Sequence, residues 1–139
     1  MFELCLILVY LLFVHYIADF VMQPRDVANN KSKSILYLLL HTLQYMSVTI
    51  VLASLPAWML IGIDEMLFKW YGAGAIYYTF VIGATHFLID LFTSKFNKWA
   101  YCHGQEKLFW SGIGGDQFLH ETTIICTTFW IWSFIQCNT

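Results

Sequence analysis

Between Gly74 and Phe92 the chain is almost wholly apolar, yet His86 and Asp90 stand inside this run, four residues apart. A spacing of four stacks two side chains on one helical face, so a helix here turns an imidazole and a carboxylate toward a common neighbour. An apolar run of this length is a candidate membrane span, and an ionisable pair inside one must face protein rather than lipid. His15 with Asp19 repeats the arrangement, Asp116 with His120 repeats it in reverse order, and His41 lies alone in a fourth segment. The chain therefore reads as apolar helices arranged around one polar cluster.

Composition fixes the class. Of 139 residues, 59% are hydrophobic and 12% charged, and the mean hydropathy is +0.62. A soluble domain carries about 25% charged residues. The fold class expected is an all-α integral membrane four-helix bundle, a single transmembrane domain over 1–139, with spans at about 3–22, 34–55, 75–92 and 117–135 of roughly 20 residues each. The first run lacks the basic flank and small-residue site of a cleaved signal peptide. Pro24 is expected to stop it, Ser34 to cap the second helix and Pro56 to end it. Between spans two and three the sequence predicts an interfacial segment, with Trp58, Trp70 and Tyr71 at headgroup depth. Ser111-Gly112-Ile113-Gly114-Gly115 reads as the close of a basic loop before the fourth span.

Orientation follows from lysine and arginine, which short cytoplasmic loops retain. Arg25, Lys31, Lys33, Lys95, Lys98 and Lys107 fall in loops one and three, and only Lys69 falls in loop two. Both termini are therefore expected outside, in a membrane expected to be the bacterial inner membrane. Direction then matches depth. His15 lies seven residues before the end of span one, His41 seven after the start of span two, His86 about seven before the end of span three, and His120 four after Asp116. All four share a level roughly 10 Å inside the cytoplasmic edge.

A single aspartate at a helix centre costs about 2.5 to 3.5 kcal/mol on insertion scales. Interhelical hydrogen bonds recover only about 0.6 kcal/mol each on average, which accounts for one His/Asp pair better than for three. A divalent cation stabilises all of them together, since neutral imidazole and ionised carboxylate are its ligands. The metal-ligand candidates are His15, Asp19, His41, His86, Asp90, Asp116 and His120. Seven exceed one tetrahedral zinc, so the expectation is two ions, zinc or manganese, or one ion with a carboxylate base. Bis-His haem needs no interleaved carboxylates. Cys102-His103 is a weak zinc signal, and the four cysteines form no disulfide framework. A net charge of −2 without basic runs argues against nucleic acid as a partner.

His15-Tyr-Ile-Ala-Asp19-Phe20, then Gln23, Asn29 and Lys31, then His41, His86-Phe-Leu-Ile-Asp90 and Asp116-Gln117-Phe-Leu-His120 resembles, in order and spacing, the small bacterial and phage membrane proteins grouped as the DUF3307 family. The resemblance covers nearly the whole chain and implies that Gln23, Lys31 and Gln117 belong with the His/Asp set. More loosely, the chain is similar to predicted membrane-bound metal-dependent hydrolases with intramembrane HxxxD motifs. The function expected is a hydrolase acting on an amphiphilic phospho- or acyl-ester at the cytoplasmic leaflet, with membrane lipid or a lipid-linked substrate as partner. Asp19, Asp90 and Asp116 are the catalytic candidates. Asp19 or Asp90 would act as bridge or base, and Asp116 would orient an imidazole. Gln23, Arg25, Lys31, Lys107 and Gln117 are the candidates for holding substrate, Gln23 and Gln117 by orienting water or headgroup. Three alternatives stay open: a metal-ion transporter, a proton transporter, and a non-catalytic accessory protein stapled by metal. Homo-oligomerisation stays open too.

Overall fold

The computed structural model describes residues 2–59 and 74–137, excepting the side chains of 56–59. Helix α1 runs Phe2–Tyr16 and continues into a π-helical turn, Ile17–Val21. Pro24 sits in extended geometry at the N-cap of a short helix, α2, Arg25–Asn30; its missing N–H is no loss at a helix start. Helix α3 runs Ile35–Met59, and Ser34 accepts the Leu36 N–H at 3.3 Å, as an N-cap serine does. Helices α4, Ala75–Cys102, and α5, Glu106–Cys137, complete the chain. Among the described residues there is no strand. Helix α1 packs on α3 and α5, α3 on α4, and α4 on α5, so the four long helices close into a ring.

Three stretches are long and apolar enough to cross a membrane: Phe2–Val21, Ile35–Leu55 and Ala75–Cys102. Helix α5 is longer, at 32 residues, but its threonines and tryptophans, with His120 and Glu121, dilute its hydropathy. The ring is apolar outward and polar inward. Phe2, Leu6, Val9, Phe13 and Phe20 form an exposed ridge on the first span, while His15, Asp19, His41, His86, Asp90 and His120 are buried. Apolar packing fills the other end, where Leu4, Ile7 and Leu11 meet Tyr78, Ile82, Ile124 and Trp132.

The all-helical reading holds, and several boundaries move. Span three, expected to end at Phe92, continues to Cys102, and the fourth helix begins at Glu106 rather than 117. Gly112, Gly114 and Gly115 therefore lie inside α5, not in a loop. A Cβ at Gly112 would run into Asn97 and Phe96 of α4, so close helix contact outweighs the low helix propensity of glycine. The real connection is only three residues. Gly104 takes φ +64, Gln105 N–H donates to Ala100 O at 2.9 Å and Gly104 N–H to Tyr101 O at 3.2 Å, a Schellman stop. His103 Nδ1 lies 2.8 Å from Trp99 O, so its ring caps the helix, and Cys102 is exposed.

Pro56 was expected to end α3, yet the helix reaches Met59. A proline there has no N–H to give the Leu52 carbonyl. Tyr10 Oη donates to that carbonyl instead, at 2.5 Å, which satisfies the orphaned acceptor from the neighbouring helix. The interfacial segment between spans two and three, with Trp58, Trp70 and Tyr71, falls outside the residues or side chains described.

Candidate metal centre

Each long helix brings its own part of the polar layer. His15 comes from α1 and Asp19 from the π turn, where Gln44 Nε2 donates to the Ala18 carbonyl at 3.0 Å; wide turns of this kind recur at functional sites. Helix α3 supplies His41, α4 supplies His86 and Asp90, and α5 supplies Asp116 and His120. His41 Nε2 lies 2.8 Å from His86 Nε2, 3.2 Å from Asp19 Oδ1 and 3.1 Å from Asp90 Oδ2. His86 Nε2 lies 3.8 Å from Asp19 Oδ1 and 3.5 Å from Asp90 Oδ2. His120 Nε2 lies 3.7 Å from Asp90 Oδ1 and 3.5 Å from Asp116 Oδ1. Across the ring the His15 and His120 rings are 5.4 Å apart and the His86 and His120 rings 4.3 Å. All seven residues picked out by depth and spacing thus meet in one layer.

Around them stands a set of orienting groups. Tyr45 stacks on His86 at 4.0 Å with an interplanar angle of 6°, and its hydroxyl lies 3.1 Å from His15 Nδ1. Gln23 Nε2 is 2.9 Å from His41 Nδ1. Thr93 Oγ1 donates to Asp116 Oδ1 at 2.5 Å, and Gln117 Nε2 to Asp116 Oδ2 at 3.2 Å. Lys31 reaches in from the end of α2, its Nζ 2.8 Å from Asp90 Oδ2 and 3.4 Å from His41 Nε2. Burial works against this ammonium, but the Asp90 and Asp19 carboxylates outweigh it and hold the Lys31 pKa above the ordinary lysine value.

The donor set suits a divalent ion. Three groups present ligand atoms all within 4.8 Å of one another: His15, Asp19 and His86; His41, His86 and Asp90; and Asp90, Asp116 and His120. His86 and Asp90 are each shared by two groups. His15 Nε2 and His120 Nε2 are buried and have no hydrogen-bond partner, although buried polar atoms are nearly always satisfied. Imidazole nitrogens and carboxylate oxygens are what zinc and manganese take, so these residues fit such an ion. One wall of the layer is open. A groove of about 410 Å³ between α4 and α5, lined by Phe92, Thr93, Phe96, Gly112, Gly115, Asp116, Phe118 and Leu119, has Asp116 as its one charged residue.

A profile described as "Protein of unknown function (DUF3307)" matches residues 7–138, nearly the whole chain. The chain belongs to the DUF3307 family. No curated protein and no solved structure matches it, so the looser likeness to membrane-bound hydrolases rests on the HxxxD spacing alone.

The DUF3307 resemblance grouped Gln23, Lys31 and Gln117 with the His/Asp set, and the geometry places all three there. Lys31 turns inward onto Asp90 and His41. Arg25 and Lys107 are exposed, and among the described residues no hydrogen bond or ion pair ties them to the layer. Lys107 precedes Asp116 by nine residues, about 14 Å along the helix. Sequence reasoning missed Tyr45, Thr93 and Gln44. Tyr45 follows His41 by four residues, the same spacing that marks His86 and Asp90, and this was the one signal for it. Thr93 and Gln44 act across helices and leave no such trace.

Proposed function

We propose that this DUF3307 chain is an integral membrane, metal-dependent hydrolase with α1, α3, α4 and α5 as its four spans, acting on an amphiphilic phospho- or acyl-ester. The observation that carries the reading is the Asp90, Asp116 and His120 group, buried on one side and opening through Asp116 into an apolar groove. A catalytic centre needs ligands held by protein together with one accessible face, and a groove walled by phenylalanine and leucine suits an acyl or prenyl chain better than a soluble substrate. Lysine and arginine placement puts the polar end at the cytoplasmic leaflet.

A divalent ion bound here supplies Lewis acidity and a water acidic enough to be a nucleophile near neutral pH. The chain's residues do the rest. Thr93 and Gln117 hold Asp116 at the mouth of the groove. Asp19, beside His41, is placed to accept the proton that water loses as its oxygen adds to phosphorus or carbonyl carbon. The ester C–O or P–O bond then breaks, and the departing oxygen takes the proton that Asp19 accepted, so that ester and water give acid and alcohol. Lys31 is placed to face an anionic headgroup oxygen.

A transport relay would need ionisable groups through the rest of the span. Beyond this layer, Thr79 and Thr128 spend their hydroxyls on their own helix, on Ala75 O and Ile124 O. That favours hydrolysis. Purified protein in nanodiscs should contain zinc or manganese and cleave a member of a panel of phospholipids and polyprenyl phosphate esters, with Asp90→Asn and His120→Ala losing ion and turnover together. Active protein free of divalent metal sinks the proposal, as does ion flux into liposomes without product.

A further inference from the structure

We infer that the centre holds one divalent cation and that the Lys31 ammonium stands in the place of a second. The inference rests on the metal-binding reading above and concerns how many ions the layer accepts and where. Asp19, Asp90 and Asp116 are buried or nearly so, at 5%, 1% and, for the Asp116 side chain, 13% exposure. Three carboxylates against one ammonium leave two negative charges, and neutral imidazoles change nothing. One divalent ion balances that count, whereas two overshoot it, and unbalanced charge in a low-dielectric interior is strongly disfavoured.

The hydrogen bonds say which group is closed. Lys31 Nζ occupies the approach to His41, His86 and Asp90, touching Asp90 Oδ2 at 2.8 Å and His41 Nε2 at 3.4 Å. Gln23 Nε2 donates to His41 Nδ1, so neutral His41 carries its proton on Nε2, with His86 Nε2, Asp90 Oδ2 and Asp19 Oδ1 as the acceptors around it and Lys31 Nζ as a neighbouring donor that does not bond to it. In that tautomer His41 is a donor to carboxylates and offers no lone pair to a metal. Asp19 is thereby engaged as well. Of the two unpartnered imidazole nitrogens, His15 Nε2 and His120 Nε2, only the second shares its group with two carboxylates, Asp90 and Asp116. His120 Nε2 is unpartnered in a residue only 2% exposed, and it faces Asp90 Oδ1, the oxygen that Lys31 does not use. Asp90 therefore serves two cations, the ammonium through Oδ2 and the divalent ion through Oδ1. Two carboxylates and one imidazole make a borderline-hard set suited to zinc or manganese, with positions left for water and a substrate oxygen.

The test counts ions. Full-length protein in detergent is stripped with chelator, exposed to zinc or manganese alone, desalted and analysed for metal per chain, alongside calorimetric titration with the same ion. Wild type should hold one ion per chain. Asp116→Asn should weaken binding by at least about tenfold, as loss of a ligand or of its orienting partner does, and Asp19→Asn, which removes a charge but leaves all three ligands in place, should weaken it several-fold less. Two ions in wild type overturn the inference and leave the metal reading standing. Asp19→Asn losing as much affinity as Asp116→Asn also overturns it. No ion in wild type overturns the metal reading itself, and this inference with it. The wild-type count and the Asp19/Asp116 contrast together decide.

Discussion

Tyr45 fixes two imidazoles at once, lying flat on His86 and placing its hydroxyl at His15 Nδ1. When His15 Nδ1 donates to that oxygen, the Nε2 lone pair points into the layer. Tyr45→Phe keeps the stack and removes the hydrogen bond, so the variant should fold, with stability lowered by about 1 kcal/mol. Because His15 lies outside the Asp90, Asp116 and His120 group, metal affinity should fall by less than the loss of about tenfold or more expected when the orienting partner of a ligand is removed. Metal titration of both proteins in one detergent checks this. At this scale the sequence was highly readable for residues paired along one helix. His15 with Asp19, His86 with Asp90 and Asp116 with His120 all announce themselves through a spacing of four. What it could not show was direction: Lys31 belongs by position to a loop, and only the folded chain turns it onto Asp90.

At the scale of helices, two glycines two residues apart, and so on opposite faces, differ in purpose. A Cβ at Gly112 meets Asn97 and Phe96, whereas one at Gly114 meets nothing within 4 Å. Gly112→Ala should push α4 and α5 apart and lower stability by about 1 to 3 kcal/mol. Gly114→Ala should leave it unchanged or raise it by about 0.5 to 1 kcal/mol through helix propensity alone. Thermal unfolding of the two variants separates the effects, and equal destabilisation by both would refute the close-contact account. The same glycines show why element boundaries were hard to read. Local propensity argued for a loop at 111–115, and contact between distant residues reversed it. Pro56 is a second case, since its tolerance inside α3 depends on Tyr10, 46 positions earlier in the chain. By contrast Ser34 and Pro24 act on their immediate neighbours, and both boundaries fall where expected.

Viewed whole, α4 and α5 outreach the rest of the ring. At 28 and 32 residues they measure about 42 and 48 Å, against a hydrocarbon core of about 30 Å. Their shared end carries Lys95, Lys98 and Lys107 with exposed Trp99, Tyr101 and Trp110, a composition suited to headgroups and the water beyond. Cys102 and Cys137 are exposed near opposite ends of this pair and report its orientation. In single-cysteine variants, an impermeant thiol reagent should modify Cys137 in intact spheroplasts and Cys102 only after lysis. The reverse pattern would invert the topology. The four histidines do meet in one layer, although two of the span ends from which their depth is counted move: His86 lies 16 residues before the end of α4 and His120 14 after the start of α5, so those two helices lengthen together and keep their histidines level.

The polar layer draws on every long helix, and the ribosome delivers those helices one at a time. When α1 emerges it carries His15 and Asp19, and none of their partners exists. His41 follows with Lys31, the first positive charge able to neutralise Asp19, then His86 and Asp90, and last Asp116 and His120. On the proposed four-span reading, until α5 arrives each earlier helix holds ionisable groups with incomplete compensation inside the bilayer, at a cost of up to a few kcal/mol apiece. On that reading biogenesis depends on keeping unfinished helices near the insertion machinery, where water and protein still surround them, until the final segment completes the ring and closes the layer.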